Sequence, residues 1–395
     1  MKYLILIIDG ASGWPAPALA GRTSLEAAHI PNLDRLAREG VVGLAHNVPE
    51  GMEASSAVAC LSVMGFDPVA YYAGRGPVEA MAMGVDLEPG QVAMRCNLVT
   101  VQDGLMRSYA AGHITSAESR ELVEALQARL GDERIRFHPG VGFRHIVTVR
   151  DGSDLLATEF TAPHDITGRP VAGELPRGRG ASLAQAIMDD SAEILADHPV
   201  NRARVARGEL PATQVWLFWP GERPGAMPSF SELYGVSAAM SSAVDLLRGL
   251  AKQARVDFLD ISGVTDGNDN DYQTQMAGCI EALDAHDAVF VHVEAPDEAS
   301  HVGDAAAKVR AIEQVDALMV PQAIARADLC LLAMPDHPTP LAVMTHVAEP
   351  VPFILWGAGF KPNGAHAYTE AEARATGLAI APGHLLMRHL LNRPC

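Results

Sequence analysis

Residues Val289–His301 read VFVHVEAPDEASH, and Leu329–His337 read LCLLAMPDH. In each, an apolar run breaks at a proline, an aspartate follows at once, and a histidine comes close behind. Such runs predict buried strands of a parallel sheet. Polar groups that follow them gather at the carboxyl edge, where open α/β sheets hold ligands. Asp297 and His301 are four residues apart, so a helix starting at the strand's end puts both on one face. Asp336 and His337 are adjacent and need a turn to point at one ion.

Around these stretches the pattern alternates. A helix from Ser241 to Ala254 leads to strand Val256 to Leu259, a helix from Tyr272 to Ala285 to strand Ala288 to Val293, and a helix from Ala305 to Ala325 to strand Asp328 to Ala333. Phe353 to Trp356 adds a buried strand and Gly383 to Leu391 a closing helix. This rhythm predicts an α/β fold, a parallel sheet sandwiched by helices. At the other end of the chain, Tyr3 to Ile8 reads as a first buried strand, too short for a signal peptide or a membrane span. It ends at Asp9, a site candidate, although Asp9-Gly10 also suits a plain turn. A short helix follows from Pro31, with Asn32 as cap and Gly40 as stop. The small residues from Ala54 to Ala59 then predict a tightly packed helix, with Ser55 or Ser56 at its start. A serine there has backbone N–H groups beside it that can hold a phosphoryl group, and it can equally serve as a simple N-cap.

Between about Gly74 and Tyr234 the texture changes. Val92 to Val101 and Leu105 to Tyr109 flank Gln102-Asp103-Gly104, a hairpin signal. Thr115 and Glu118 form a capping-box pattern for a helix ending near Gly131. Strand-like Arg134 to His138 and Gly142 to Val149 follow, then a Gly/Pro/Arg-rich loop from Thr167 to Gly180. Helical Leu183 to Ala196 and strand-like Gln214 to Trp219 complete an α+β insertion. The predicted organisation is residues 1–74 with 235–395 as one discontinuous domain, and 75–234 as a smaller inserted cap.

Composition narrows the function. The 30 basic and 48 acidic residues give a net charge of −18, which excludes nucleic acid and anionic membrane as general partners and leaves a small anionic substrate where basic residues gather. The five cysteines, at 60, 96, 279, 330 and 395, lack any C-x-x-C spacing and predict reduced thiols in a cytoplasmic protein. Asp9, Asp297, His301, Asp336, His337 and His346 form a mixed carboxylate and imidazole set without thiolate, which suits Mn²⁺ or Zn²⁺. Six such groups exceed what one ion usually takes, so two ions are expected. His292 and His346 taken singly also fit ordinary core or surface histidines.

The chain resembles the alkaline phosphatase superfamily, and within it the archaeal-type, cofactor-independent phosphoglycerate mutases. The likeness spans essentially the whole sequence. It is carried by ILIIDG at Ile5–Gly10, LSVMGFDPVAYYAGRGPVEAM from Leu61, MRCNLVT from Met94, HPVNRARVARGELPAT from His198 and SAVDLLRG from Ser242. Most specific are VHVEAPDEASHVGD from Val291 and PDHPTPLAVMTHVAEPVPFILWG from Pro335. The resemblance implies one divalent ion held by Asp9, a nucleophilic serine, Asp336 and His337, and another held by Asp297, His301 and His346. Mn²⁺ is the expected metal, with Zn²⁺ or Mg²⁺ as alternatives. The family's nucleophile motif, in register with LSVMGFDP, falls on Ser56 and leaves Ser55 on a glycine position. The implied reaction moves the phosphoryl group of 3-phosphoglycerate to the serine and back to the 2-hydroxyl, inside a cleft closed by the cap. Arg75, Arg95 and Arg144 are implied anion contacts, with Arg177 and Arg179 weaker candidates.

The chain also departs from that family. Ala57 and Cys60 stand where an acidic residue and a histidine are common, and Ser237 where archaeal members often carry a lysine. Those groups would position substrate or carry a proton. The alternatives to a mutase are therefore a hydrolase or phosphotransferase acting on another phosphate or phosphonate ester, and a non-catalytic binding protein that keeps the fold.

Overall fold

A computed structural model describes residues 1–223, 225 and 227–391. The chain divides into two compact units, Met1–Tyr72 with Ala226–Cys395, and Ala73–Gly225.

The first unit is built on an eight-stranded sheet. Its order across the sheet is Asp257–Phe258, Ala238–Ser241, Ala288–Val293, Lys2–Ile8, Leu329–Met334, Val351–Trp356, Val41–Ala45 and Ala379–Ile380. Lys2–Ile8 is parallel to both its neighbours, with Ile8 opposite Val293 and Ile7 opposite Met334. Three strands thus end level with one another. Their continuous burial follows from cover on both faces. On one face Leu4, Leu6 and Ile8 pack with Leu33 and Leu36 of helix Pro31–Glu39, Met276 of helix Tyr272–Ala282, and Ile312. On the other, Phe290 meets the ring of Phe230 edge-on at 5.5 Å. Each fully buried leucine or isoleucine contributes about 1.5–3 kcal/mol, so this central trio anchors the edge that follows.

Three features differ from the sequence reading. Val351–Trp356 runs antiparallel to Leu329–Met334. No crossover helix separates them, and a chain that turns back without one returns antiparallel. Strands Val41–Ala45 and Ala238–Ser241 were not expected. VVGLA is short and interrupted by glycine, and AAMS lacks β-branched residues, so neither carries a strand signal. The helix expected from Ala305 to Ala325 instead runs as α-helix to Gln314, a π turn over Val315–Met319, and α-helix again over Val320–Ile324. Pro321 has no N–H to bond one turn back, which breaks the regular ladder.

The second unit carries a sheet in the order Leu105–Ser108, Gln91–Gln102, Arg144–Arg150, Ile135–His138, with Gln214–Glu222 also paired to Gln91–Gln102. All pairings are antiparallel. Helix Ser116–Leu130 begins with the reciprocal Thr115 and Glu118 capping box. Helices Arg75–Ala82 and Pro199–Ala206 are additional to the elements that the sequence predicts. Trp216, Phe218, Met188 and Leu126 lie in its core.

Cys60, Cys96 and Cys279 are buried and free. Cys395 lies outside the described residues. Among the described residues, no helix is long and apolar enough to cross a membrane.

Candidate metal centre

The site residues of the first unit gather where its central strands end. Asp9 follows Lys2–Ile8 directly, and its N–H donates to Val293 O at 3.0 Å. Asp297 and His301 lie on helix Ala295–His301, which Pro296 opens by supplying no N–H to an already unpaired first turn. Asp336, His337 and His346 belong to the segment between Leu329–Met334 and Val351–Trp356. Ser56 is the first residue of helix Ser56–Val63, with Ser55 as its N-cap.

Asp297, His301 and His346 converge. Asp297 Oδ2 is 2.9 Å from His301 Nε2 and 3.3 Å from His346 Nε2, and the two ring nitrogens are 3.0 Å apart. Each ring's Nδ1 faces a backbone carbonyl, Met344 O at 3.0 Å for His301 and Ala54 O at 3.1 Å for His346. Carbonyls only accept, so each Nδ1 carries a hydrogen and both Nε2 atoms point inward. A proton or a cation must lie between them, and two imidazoles with a carboxylate suit a divalent metal. Burial alone would raise Asp297, but hydrogen bonds from His301 and His346 hold it well below the carboxylate range. The Asp297 partner in turn pushes His301 up to about 9.

The second group is deeper. His337 Nε2 lies 3.2 Å from Ser56 Oγ, 3.2 Å from Asp336 Oδ2 and 3.8 Å from Asp9 Oδ1. Asp336 Oδ1 is occupied by the N–H groups of His337 at 2.7 Å and Gly10 at 3.3 Å, which turns Oδ2 toward the ring. Asp9 is fully buried, and its Oδ1 has no hydrogen-bond partner among the described residues. Burial, then the charges of Asp336 and Asp297, push its carboxyl well above the usual range. A buried, unpartnered carboxylate oxygen among other acids is costly unless a cation meets it. The residues present therefore fit a metal. Asp9, Asp297 and His337 also lie close enough to share one ion, so Asp297 borders both groups.

Ser56 and Ser55 separate clearly: Ser56 Oγ faces His337, whereas Ser55 Oγ donates to Glu53 at 3.3 Å. Cys60, one turn after Ser56, directs its sulfur at Asp336 Oδ2 from 3.6 Å. Ser237 corrects an expectation. It precedes strand Ala238–Ser241 and donates to Asp287, which precedes the parallel strand Ala288–Val293, so it sits at the opposite end of the sheet from this site.

Sequence reasoning missed four residues. His292, which taken singly also fits an ordinary core histidine, holds Asp9 Oδ2 at 2.8 Å and is itself fixed by Ser242 Oγ at 3.0 Å. Glu294 stands beside it, with its Oε2 3.6 Å from His292 Nε2. Thr339, hydrogen-bonded to Asp297, and Lys308, which donates to Thr339 O at 2.8 Å, are both fully buried. Only Glu294 left a trace, as a carboxylate directly after a buried strand.

The predicted arginines belong to the second unit. Arg75 and Arg95 meet on Glu79: Arg75 Nε is 2.9 Å from Oε1, and Arg95 Nη1 is paired with Oε2. Arg75 also lies over the Trp219 ring at 4.2 Å, and Arg95 Nε donates to Asn97 at 2.9 Å. Arg144 is exposed and stacks on Phe143. Its register opposite Asn97 sets it on the same sheet face as Arg95 and Asn97. Arg177 and Arg179 are exposed, Arg179 within 3.6 Å of Asp154.

Comparison with known proteins extends this geometry. The family model described as 2,3-bisphosphoglycerate-independent phosphoglycerate mutase matches residues 37–201. The protein of that name from Methanothrix thermoacetophila is 44% identical over 99% of this chain and 100% of its own. A probable 2,3-bisphosphoglycerate-independent phosphoglycerate mutase of Geobacter sulfurreducens is 43% identical, with 100% of both chains covered. Among solved structures, a Pyrococcus horikoshii protein superposes with a TM-score of 0.84 at 26% identity, covering 100% of this chain and 98% of that one. A cofactor-independent phosphoglycerate mutase from Thermoplasma acidophilum does so with 0.68 at 27%, covering 99% of each. Likeness of this extent reaches through both units, and the chain belongs to the 2,3-bisphosphoglycerate-independent phosphoglycerate mutase family.

Proposed function

We propose that this chain interconverts 3-phosphoglycerate and 2-phosphoglycerate by way of a phosphoserine at Ser56, with two divalent ions, Mn²⁺ as the expected metal. The observation that carries the reading is Ser56 Oγ, 3.2 Å from His337 Nε2 at the start of a helix. Asp9, Ser56, Asp336 and His337 would hold one ion, and Asp297, His301 and His346 the other. Bound there, the metals would lower the serine's pKa and neutralise charge on the transferring group. The chain's own residues do the rest. Ser56 Oγ attacks phosphorus, the bond to the 3-hydroxyl oxygen breaks, and that oxygen takes up a proton. The phosphoryl group then leaves Ser56 for the 2-hydroxyl, whose proton is released. The first N–H groups of helix Ser56–Val63 lack intrahelical acceptors and favour an anion beside Ser56. Arg75, Arg95 and Arg144 are proposed to bind the carboxylate and phosphate, and the inserted unit, 75–234, to exclude water, which would convert transfer into hydrolysis. A charged three-carbon phosphate does not cross membranes unaided, which supports a cytoplasmic location.

A second reading, hydrolysis or transfer of another ester, draws on one observation: Arg75 and Arg95 already share Glu79. One experiment separates the two. Protein loaded with Mn²⁺ is incubated with 3-phosphoglycerate while 2-phosphoglycerate and free phosphate are followed together by phosphorus NMR. The isomer without phosphate is expected. Phosphate without the isomer replaces the mutase with the hydrolase, and neither product, with other esters also inert, favours a binding protein.

A further inference from the structure

We propose that Thr339 is a positioning residue that couples the two ligand groups: its hydroxyl links His337 to Asp297, so that a cation held by one group prepares the other. The inference rests on the two-ion reading above. Thr339 is fully buried. Its Oγ1 is hydrogen-bonded to Asp297 Oδ1 and lies 3.3 Å from His337 Nδ1. Direction follows from the partners. An ionised carboxylate only accepts, so the hydroxyl proton goes to Asp297. The oxygen is then free to accept, and His337 Nδ1 supplies the hydrogen. The chain therefore runs one way, from His337 Nδ1–H to Thr339 Oγ1–H to Asp297 Oδ1.

That direction has a consequence at each end. With its hydrogen on Nδ1, His337 presents a bare Nε2 to Ser56, Asp336 and Asp9. With Oδ1 occupied, Asp297 presents Oδ2 to His301 and His346. Both are the forms in which these groups bind metal. The threonine is held in place to do this. Its N–H donates to Ser12 O at 3.0 Å, and its carbonyl accepts from Lys308 Nζ at 2.8 Å. Lys308, itself fully buried, also reaches Ser12 O at 3.3 Å, so the backbone on either side of the hydroxyl is fixed.

Without an ion, the hydroxyl rotor and the His337 tautomer have other arrangements. An ion on either group selects the arrangement that the other group needs, so the second ion binds a site already ordered. A cation bound by His337 would also make Nδ1–H a stronger donor and polarise the hydroxyl behind it. Two like charges in neighbouring positions would otherwise weaken each other's binding.

The test compares wild type with Thr339→Val, which keeps the shape and both backbone contacts and removes the hydroxyl. Metal-free protein is titrated with Mn²⁺ by calorimetry, with bound ions counted by electron paramagnetic resonance. Wild type is expected to take up two ions, the second binding no more weakly than the first. In the valine variant the second ion should bind roughly 10–100-fold more weakly than the first, and Thr339→Ser should restore the wild-type ratio. A merely structural role would weaken both steps alike. An unchanged ratio in Thr339→Val, or no rescue by serine, overturns the proposal. A wild type that binds a single ion overturns it together with the two-ion reading. Because the readout is binding, the changed ratio supports the coupling even if 3-phosphoglycerate is not turned over, which keeps its failure distinct from failure of the proposed function.

Discussion

Ser56 and Ser55 are neighbours with different surroundings, and the difference is testable by substitution. Ser56→Ala is expected to cut phosphoryl transfer by at least about a thousand-fold, as loss of a covalent nucleophile does. Ser55→Ala should leave transfer within a few-fold, since its hydroxyl donates to Glu53 and not to His337. Rates measured by phosphorus NMR, with unchanged circular dichroism, check both; an active Ser56→Ala would place the nucleophile elsewhere. The sequence made Asp9, Asp297, His301, Asp336 and His337 legible because each follows a buried run, and a run that ends in acids and imidazoles has few structural uses. It could not reveal Thr339, whose function depends on Asp297, 42 positions away, coming within hydrogen-bond reach. Nor could it reveal that His292, inside an apolar strand, holds Asp9 Oδ2, since a histidine in such a run usually belongs to the core.

The turn after Lys2–Ile8 shows how tightly the strand ends are fitted. Gly10 has φ +61°, a conformation that strains any residue with a β-carbon, and an added methyl would come within 2.8 Å of Thr339 Oγ1 and crowd Asp297. Gly10→Ala is therefore expected to destabilise the first unit by about 1–3 kcal/mol and to weaken Mn²⁺ binding at the same time. Urea unfolding and Mn²⁺ titration of one preparation test the pair of effects. A stability loss with unaltered metal binding would show that the turn serves the fold alone. Element types were legible where periodicity was long, as in helix Ser116–Leu130, where Thr115 and Glu118 mark the start. The direction of Val351–Trp356 was not, because it depends on whether the connecting segment crosses the sheet or returns, and composition does not record that path.

For the protein as a unit, removing metal with a chelator should abolish turnover while far-ultraviolet circular dichroism persists, because the strands carry their own core. Elemental analysis after Mn²⁺ loading should give two ions per chain, and one ion would count against the proposed site. Acid acts elsewhere, on the second unit. Burial first, then Arg95 and Arg120, push His145 down to about 3 from the ordinary 6.5. The unfolded chain takes up this proton below 6.5 and the folded chain does not until about 3, so its contribution is present above 6.5 and lost as pH falls between those values. The slope is about 1.4 kcal/mol per pH unit. His145→Asn, which can still accept from Gly140 N–H, should flatten the loss of urea stability between pH 6.5 and 5; an equal slope would assign acid sensitivity to other groups. The order of the sheet also sets a timetable for synthesis. Lys2–Ile8 lies between Ala288–Val293 and Leu329–Met334, and Gly10 bonds to Asp336 across 326 positions. At roughly 5–20 residues per second, the first strand made waits tens of seconds for both its neighbours. The inserted unit is contiguous and is complete well before then. A ribosome-bound chain thus presents Asp9 and Ser56 long before their partners exist, and the ability to capture metal is delayed until almost the whole polypeptide has emerged.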